Sequence, residues 1–202
     1  VAEVHVVAAR LARQTNRGGG RISAGQRSDT GLENRFDDRK LGYFNLQGEL
    51  QASEHDELML SIGANKNEPG IGVPRNASDP ERTETTRSAF AQLRWRRSLA
   101  ADHEISLSYS RTGDNGEDRF FIPVTSSDGL WIDYGRQALR DHLEYQQYLG
   151  LTDDLRAAMG VEYSRDSITA GQLFNTTDTQ RRHLLRAYSS GEWRPAAAWT
   201  LN

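Results

Sequence analysis

The chain has 202 residues, no cysteine and a formal net charge of −3, with 25 Lys and Arg against 28 Asp and Glu. The absence of cysteine excludes thiol catalysis, disulfides and thiolate metal sites, and the slight acidic excess argues against nucleic acid as a partner. No apolar run approaches the roughly 18 residues of a transmembrane helix, but a membrane-spanning β-barrel hides its apolar residues by alternation and is not excluded.

Alternating apolar and polar side chains predict β-strands along most of the chain. In 42–51, Phe44, Leu46 and Leu50 share one face, and polar side chains occupy most of the other. The same alternation recurs, in chain order, over 58–65, 89–96, 105–110, 142–149, 155–164 and, more weakly, 182–193. A strand with one apolar and one polar face lies between two different environments.

The segments between these strands are short and long in strict alternation. The short ones have hairpin length and the long ones are rich in turn-forming residues, which predicts turns at 52–57, 99–103, 150–154 and 194–198 and loops at 66–84, 111–137 and 165–181. All short turns then lie at one rim and all long loops at the other, as in outer-membrane barrels.

The pattern predicts an all-β fold, an antiparallel transmembrane β-barrel that is incomplete in this chain, with short periplasmic turns and long extracellular loops. The alternative is a soluble sandwich or barrel, whose strands are usually about 5–6 residues long. Aromatic residues near the predicted strand ends fit the interfacial girdles of a membrane barrel; they are Trp95, Tyr109, Tyr163, Trp193 and Trp199.

Four polar residues are predicted to face the interior of the barrel: Arg94, Arg96, His142 and Glu144. Inward arginines either pair with carboxylates inside the barrel, which we favour, or guide an anionic ligand. The two residues His142 and Glu144 share a side and either belong to an ordinary polar lining, which we favour, or bind a cation or a substrate hydroxyl.

Four aromatic residues in one long loop are the candidate ligand contacts: Phe120, Phe121, Trp131 and Tyr134. They either meet a ligand from outside or pack the loop on itself. The turn around His55 is acidic, and we interpret it as a solvated rim rather than a metal site. No spacing of Ser, His and Asp predicts a triad, so we expect no enzyme activity, no catalytic residue, no metal ligand and no cofactor.

Short segments spread over nearly the whole chain carry a resemblance to a known family. The run 4–10 followed by 14–25, which contains Gly18-Gly19-Gly20, resembles the plug-to-barrel junction of TonB-dependent outer-membrane receptors. The patterns at 41–46 and 56–63 resemble the early barrel hairpins of that family, and 193–201 resembles one of its short periplasmic turns.

This resemblance implies a domain division and a function. Residues 1–14 would be the end of a plug domain with its linker, and residues 15–202 the N-terminal part of the barrel, so we expect a piece of a longer protein. The implied activity is uptake of a scarce nutrient, such as a ferric siderophore or another metal chelate, across the bacterial outer membrane. The plug would supply the carboxylates that pair with the inward arginines Arg94 and Arg96. The implied partners are outer-membrane lipid, the small nutrient, and the inner-membrane TonB complex through a segment upstream.

Two other functions remain open at this stage. A plug-less channel or export barrel would lack an upstream plug and conduct ions without an energy source. A soluble β-rich binding module would stay monomeric without detergent.

Overall fold

The computed structural model describes residues 3–33, 35–125, 128–152, 154–196 and 199–201, with the side chains of 194–196 and 199–201 left aside. The described residues form thirteen strands and one short helix. They are β1 Val4–Thr15, β2 Gly18–Asp29, β3 Arg39–Gln51, β4 Asp56–Ile71, β5 Arg82–Thr83, β6 Thr85–Ala100, β7 His103–Glu117, β8 Arg119–Pro123, β9 Gly129–Asp133, β10 Arg136–Thr152, β11 Leu155–Thr169, α1 Gly171–Phe174, β12 Gln180–Ala196 and β13 Trp199–Leu201.

One antiparallel sheet contains most of these strands. Its order is β1-β2-β3-β4-β6-β7-β10-β11-β12-β13, with the short β5 added to the end of β4, while β8 and β9 form a separate hairpin. From β1 to β12 the neighbouring strands are paired over most of their length, whereas β13 pairs with β12 only near its end. The sheet of the described residues is open, with β1 at one edge and β13 at the other. β1 pairs with β2 from Val4 to Thr15, which puts it in the same sheet as the later strands.

Tight turns fix the register in which the long strands pair. Between β3 and β4 the backbone N–H groups of Ala52 and Ser53 both donate to the carbonyl of Asp56, at 2.9 and 3.3 Å. The Ser53 hydroxyl accepts from the N–H groups of His55 and Asp56, at 3.2 and 3.0 Å. The short connections predicted from the sequence are therefore hairpin turns wherever the structure describes them.

The predicted loops at 66–84, 111–137 and 165–181 are partly wrong, because the strands extend into them. β4 continues to Ile71, β7 to Glu117 and β11 to Thr169, while β10 already begins at Arg136. These strand ends carry polar residues on both faces, so the alternation that predicts a strand is lost although the backbone pairing continues. The remaining loops are shorter and carry structure of their own, including the β8–β9 hairpin and α1.

The sheet is a single layer, which leaves its apolar side without a protein core. Among the described residues the buried hydrophobic ones are Phe120 and Ala170, both outside the main sheet. A row of large apolar side chains on the sheet stays exposed instead, Leu93 by 49%. Within the described part of the chain, no helix has the length and apolar character needed to cross a membrane.

Candidate membrane-facing surface and ligand-binding loops

Directly paired residues of neighbouring strands project from the same side of a sheet, so the register defines two faces. We use the word row for residues of neighbouring strands that lie directly opposite one another. One such row is apolar across six neighbouring strands of the sheet: Leu60, Leu93, Tyr109, Leu143, Tyr163 and Leu185. We call the side that bears this row the apolar face and the opposite side the polar face. Each of the six side chains is at least 39% exposed, so this face needs an apolar cover that the sheet does not provide.

The next row towards the long loops changes character as it crosses the sheet. It is apolar on the first strands, with Leu46, Ile62 and Ala91, and becomes polar as it continues into Arg111, Asp141, Arg165 and His183. Strands of a membrane barrel are tilted by about 35–45° from the membrane normal. Because a row runs perpendicular to the strands, it changes depth in the membrane as it crosses the sheet. In such a barrel this row would pass from the hydrocarbon into the headgroups, which accounts for the charges on this part of the apolar face.

Two predicted interfacial aromatics mark the long-loop end of the apolar face. The hydroxyl of Tyr109 donates to Asp141 at 2.7 Å, and the hydroxyl of Tyr163 lies 2.7 Å from Nδ1 of His183. Each ring therefore keeps its apolar body beside Leu143 or Leu185 and directs its oxygen to a polar group one row higher, as an interfacial aromatic does.

Two tryptophans lie at the turn end of the same face. Trp95 donates its indole N–H to Asp56 at 2.9 Å, while Trp193 is half exposed at the far end of β12. Asp56 also accepts from the Ser53 hydroxyl at 2.6 Å, and these two hydrogen bonds, the serine first, lower its pKa. The side chain of Trp199 lies outside the described residues. That these aromatics contact a membrane interface stays a prediction.

The predicted lumen residues all lie on the polar face. Arg94 and Glu144 belong to one row with Ser108 between them, and Arg96 lies one row nearer the turns. Arg96 forms ion pairs with Glu57 and, at 3.8 Å, with Glu104, so its charge is already matched within the sheet. Their exposure to a lumen stays a prediction.

Acidic residues of the polar face hold together the last three long strands. Glu162 on β11 lies 3.9 Å from His142 on β10 and 2.7 Å from Arg186 on β12. Two rows higher, Asp166 accepts from Arg140 at 2.6 Å and from Arg182 at 2.9 Å. The sequence reasoning missed this ladder, although acidic and basic residues at matching steps of adjacent strands were a signal for it.

Arg82 and Asp118 join two long loops in a cluster that the sequence reasoning also missed. Arg82 donates to Asp118 at 2.7 and 3.2 Å, and to Asp79 at 2.7 Å. Its guanidinium carbon lies 3.7 Å from the centre of the Phe120 ring. The hydrogen bond to Asp118, followed by that to Asp79, raises the pKa of Arg82 and keeps it charged.

The four predicted loop aromatics form two separate pairs. Phe120, only 8% exposed, packs edge-on against Tyr134 with ring centres 5.9 Å apart and belongs to the Arg82 cluster. Phe121 and Trp131 lie 5.4 Å apart on the other side of the β8–β9 hairpin, and Trp131 is 55% exposed. This second pair is accessible to a ligand from outside.

Two further residues contact the segment that carries the exposed pair, Arg119 and Gln172, and the sequence did not indicate either contact. The guanidinium carbon of Arg119 lies 4.7 Å from the centre of the Trp131 ring, a cation–π contact. Gln172 of α1 accepts from the N–H of Asp133 at 2.6 Å and donates to the carbonyl of Trp131 at 3.3 Å. The third long loop thus braces the hairpin that presents the pair. Among the described residues, no group of three or more Asp, Glu or His side chains is placed to hold a metal ion.

Three solved structures share this arrangement of strands. The ferric preacinetobactin receptor BauA from Acinetobacter baumannii matches 96% of this chain with a TM-score of 0.63 and 9% identity, over 38% of its own length. The copper transporter OprC matches 96% with a TM-score of 0.64 and 11% identity, over 35% of its length. The ferric yersiniabactin uptake receptor FyuA from Yersinia pestis matches 98% with a TM-score of 0.56 and 12% identity, over 36% of its length.

The chain has the fold of a bacterial outer-membrane β-barrel. The predicted all-β, antiparallel barrel class is therefore confirmed, and the predicted outer-membrane location agrees with this fold. The chain spans little more than a third of the length of each of these three proteins. No protein-family model matches the chain, and no curated protein matches its sequence.

Proposed function

We propose that this chain is the N-terminal part of the barrel of a TonB-dependent outer-membrane receptor, which takes up a scarce nutrient such as a ferric siderophore or another metal chelate. In this proposal residues 15–202 belong to the barrel wall. Residues 1–14 connect that wall to a plug domain and contain almost all of the strand β1, which is already paired with β2 of the wall. The inner-membrane TonB complex energises passage through a segment that precedes the plug. The protein acts as a transporter and not as an enzyme.

One observation carries the proposal: the apolar face is bounded by Trp95 and Trp193 at the turn end and by Tyr109 and Tyr163 at the long-loop end. A sheet with this face needs lipid against it, and long loops then project from one side of the membrane. The similar structures are named as two receptors for ferric chelates and one copper transporter, which supports uptake of a metal-containing nutrient.

The exposed Phe121–Trp131 pair with Arg119 is the proposed first contact for the nutrient. Aromatic surfaces bury the apolar parts of a chelate, and the guanidinium attracts its negative charge. The Arg82 cluster and Gln172 hold the hairpin in place, so less conformational freedom is lost when the nutrient binds. The polar face, with Arg94, Arg96, His142 and Glu144, is proposed to line the path inward.

Uptake by cells that depend on the full-length protein tests this function. A panel of radiolabelled ferric and copper chelates is offered to cells with the gene deleted, complemented, or complemented by F121A/W131A. We expect the deletion to abolish energy-dependent uptake of one class and the double variant to raise its apparent Km about tenfold or more, the cost of about 1.4 kcal/mol in binding. Uptake of no class, or uptake that persists without the proton-motive force, would contradict the proposal.

The buried member of the loop cluster provides the control. F120A removes packing on Arg82 without touching the exposed pair. It is expected to loosen the loops, measured by protease sensitivity, more than F121A/W131A does. If F120A alone abolished nutrient binding and F121A/W131A bound normally, Phe120 rather than the exposed pair would be the contact.

A further inference from the structure

The β8–β9 hairpin has two outer edges, because neither strand pairs with any other strand among the described residues. In an antiparallel pair, successive residues direct their backbone N–H and C=O groups alternately towards the partner strand and away from it. The N–H of Tyr134 donates to the carbonyl of Asp118 at 2.8 Å, which makes the even-numbered residues of both strands the inward ones. The backbone groups of the odd-numbered residues therefore point outward at the two edges.

The outer edge of β9 is covered by side chains of the protein itself. Gln172 accepts from the N–H of Asp133 and donates to the carbonyl of Trp131, so its amide takes the place of a peptide group of a neighbouring strand. At the start of β9 the N–H of Gly129 donates to the carboxylate of Asp128 at 2.8 Å. Another chain could pair with this edge only by displacing Gln172.

The outer edge of β8 has no such cover. Within the described part of the chain, the outward N–H and C=O groups of Arg119 and Phe121 have no hydrogen-bond partner. An open edge of this kind is a template for pairing with another extended chain. It is short, because Glu117 is already paired with Thr85 in the main sheet and Pro123 has no N–H. Pairing with Arg119 and Phe121 takes a segment of about three residues.

The side chains along this edge favour a particular occupant. Directly paired residues project from the same side of a sheet, so an added strand would place alternate side chains beside Arg119 and Phe121. Arg119 is exposed, lies over the Trp131 ring and forms no ion pair with any residue that the structure describes. A carboxylate opposite Arg119 would match its charge, and an apolar side chain opposite Phe121 would pack against the Phe121–Trp131 pair.

We propose that the outer edge of β8 binds a short linear peptide by antiparallel strand addition. The peptide residue opposite Phe121 is apolar, and the residue two positions later, opposite Arg119, is Asp or Glu. Each of these two peptide residues exchanges both of its backbone hydrogen bonds with its partner on β8. This inference rests on the proposed function and deepens it, because the peptide is the part of the nutrient that the loops contact first.

Binding of synthetic peptides to the full-length protein in detergent, measured by fluorescence anisotropy, tests the proposal apart from transport. The parent probe is the labelled peptide Thr-Phe-Thr-Glu-Thr with both ends blocked. Two derivatives carry one backbone N-methyl group each. In one it lies on Glu, whose N–H pairs with the carbonyl of Arg119, and in the other on the central Thr, whose N–H points away from β8. The second peptide is the matched control, because the side chains are the same in both.

We expect methylation of Glu to weaken binding about tenfold or more, because a hydrogen bond is lost and the methyl group holds the strands apart. Methylation of the central Thr is expected to change binding by less than about twofold, since that nitrogen has no partner on β8. Equal weakening by the two methyl groups would overturn the inference. Failure of the parent peptide to bind, or equally tight binding of the reversed sequence Thr-Glu-Thr-Phe-Thr, would also overturn it.

A charge variant tests where the peptide lies. Arg119→Gln is expected to weaken binding of the parent peptide about fivefold, the upper range for an exposed ion pair, and to leave unchanged the binding of a peptide with Gln in place of Glu. Arg35→Gln, in the loop between β2 and β3, is the matched control at another exposed arginine and is expected to bind like wild type. Equal losses in the two variants would contradict binding at β8.

Uptake by cells separates this inference from the proposed function. Energy-dependent uptake of a chelate by a protein that does not bind the parent peptide would contradict only the peptide site. Binding of the parent peptide with the expected effect of methylation, by a protein that supports no uptake, would contradict the proposed function and leave strand addition to β8 in place.

Discussion

Arg82 donates two hydrogen bonds to the carboxylate of Asp118, 36 residues further along the chain, and so fastens the loop after β4 to the end of β7. Both side chains are largely buried, at 15% and 8% exposure. The backbone carbonyl of Asp118 also accepts from the N–H of Tyr134 at 2.8 Å, which extends the connection to the residue that follows β9. This contact therefore holds three segments together at the long-loop end of the sheet.

Arg82→Ala is therefore expected to open these loops, since removing one partner leaves a buried carboxylate without its cation. The cost expected for breaking a buried pair is about 3–5 kcal/mol. Arg87→Ala is the matched control, because the Arg87–Glu117 pair next to it is half exposed and is expected to cost no more than about 1 kcal/mol. Hydrogen exchange over 72–84 and 118–135, in detergent without added lipid, measures both; equal protection in the two variants would contradict the buried role of Arg82.

The Tyr188 ring crosses over Gly160 on the polar face and donates its hydroxyl to Glu144 at 2.8 Å. A Cβ at Gly160 would lie 2.5 Å from the tyrosine ring and 2.9 Å from the carbonyl of Tyr145. Gly160→Ala is thus expected to displace the ring and to destabilise the fold by about 1–3 kcal/mol, the usual cost of overpacking. The measurement is denaturant unfolding of the reconstituted protein.

Gly191 supplies the control for this prediction. A Cβ there would lie 3.7 Å from the backbone carbonyl of Arg156, an ordinary contact. Gly191→Ala is expected to unfold at nearly the same denaturant concentration as wild type. If the two alanine variants were equally stable, the close approach of Tyr188 to Gly160 would not be a constraint on the fold.

The turn before β4 is expected to weaken in acid because of Asp56, which lies beyond the turn end of the apolar face. Hydrogen bonds from Ser53 and then Trp95 lower the pKa of this carboxyl below its ordinary value of 3.8. Its contribution is therefore complete above pH 3.8 and is lost as the pH falls through the lower value of the folded protein. Trp95 fluorescence should change in that acid range, and Asp56→Asn, as well as the Trp95→Phe control, should remove the change. An unaltered transition in Asp56→Asn would refute this assignment.

The parts of the fold that the sequence predicts are those where the two faces of a strand differ. Phe44, Leu46 and Leu50 on β3, or Leu93 and Trp95 on β6, alternate with polar residues because one side meets an apolar environment. Where a strand leaves that environment, as β7 does after Arg111, both faces become polar and the pattern predicts a loop. Pairing with β10 keeps the strand extended there. The alternation of residues within one strand does not indicate which other strand it pairs with.

The candidate ligand-binding loops were only partly predictable from the sequence, because their contacts also depend on pairing partners. Four aromatics in one loop were identifiable from the sequence, but their separation into Phe120 with Tyr134 and Phe121 with Trp131 depends on the β8–β9 hairpin. Arg82 and Asp118 are distant in sequence, and neither belongs to a local motif. Contacts between loops are set by the tertiary arrangement, and no periodicity in the chain encodes them.

The central claim, that one face of the sheet meets hydrocarbon and the other water, is tested most directly by spin labels in lipid bilayers. These 202 residues contain no cysteine, so single cysteines introduced at Leu93 and Leu107 on the apolar face, and at Gln92 and Ser108 on the polar face, are the only thiols within this chain to which a spin label attaches. We predict that the first two labels collide preferentially with oxygen dissolved in the bilayer, and that the other two collide preferentially with a water-soluble nickel complex. Equal access of the nickel complex to all four positions, or no access of oxygen to Leu93 and Leu107, would contradict the account.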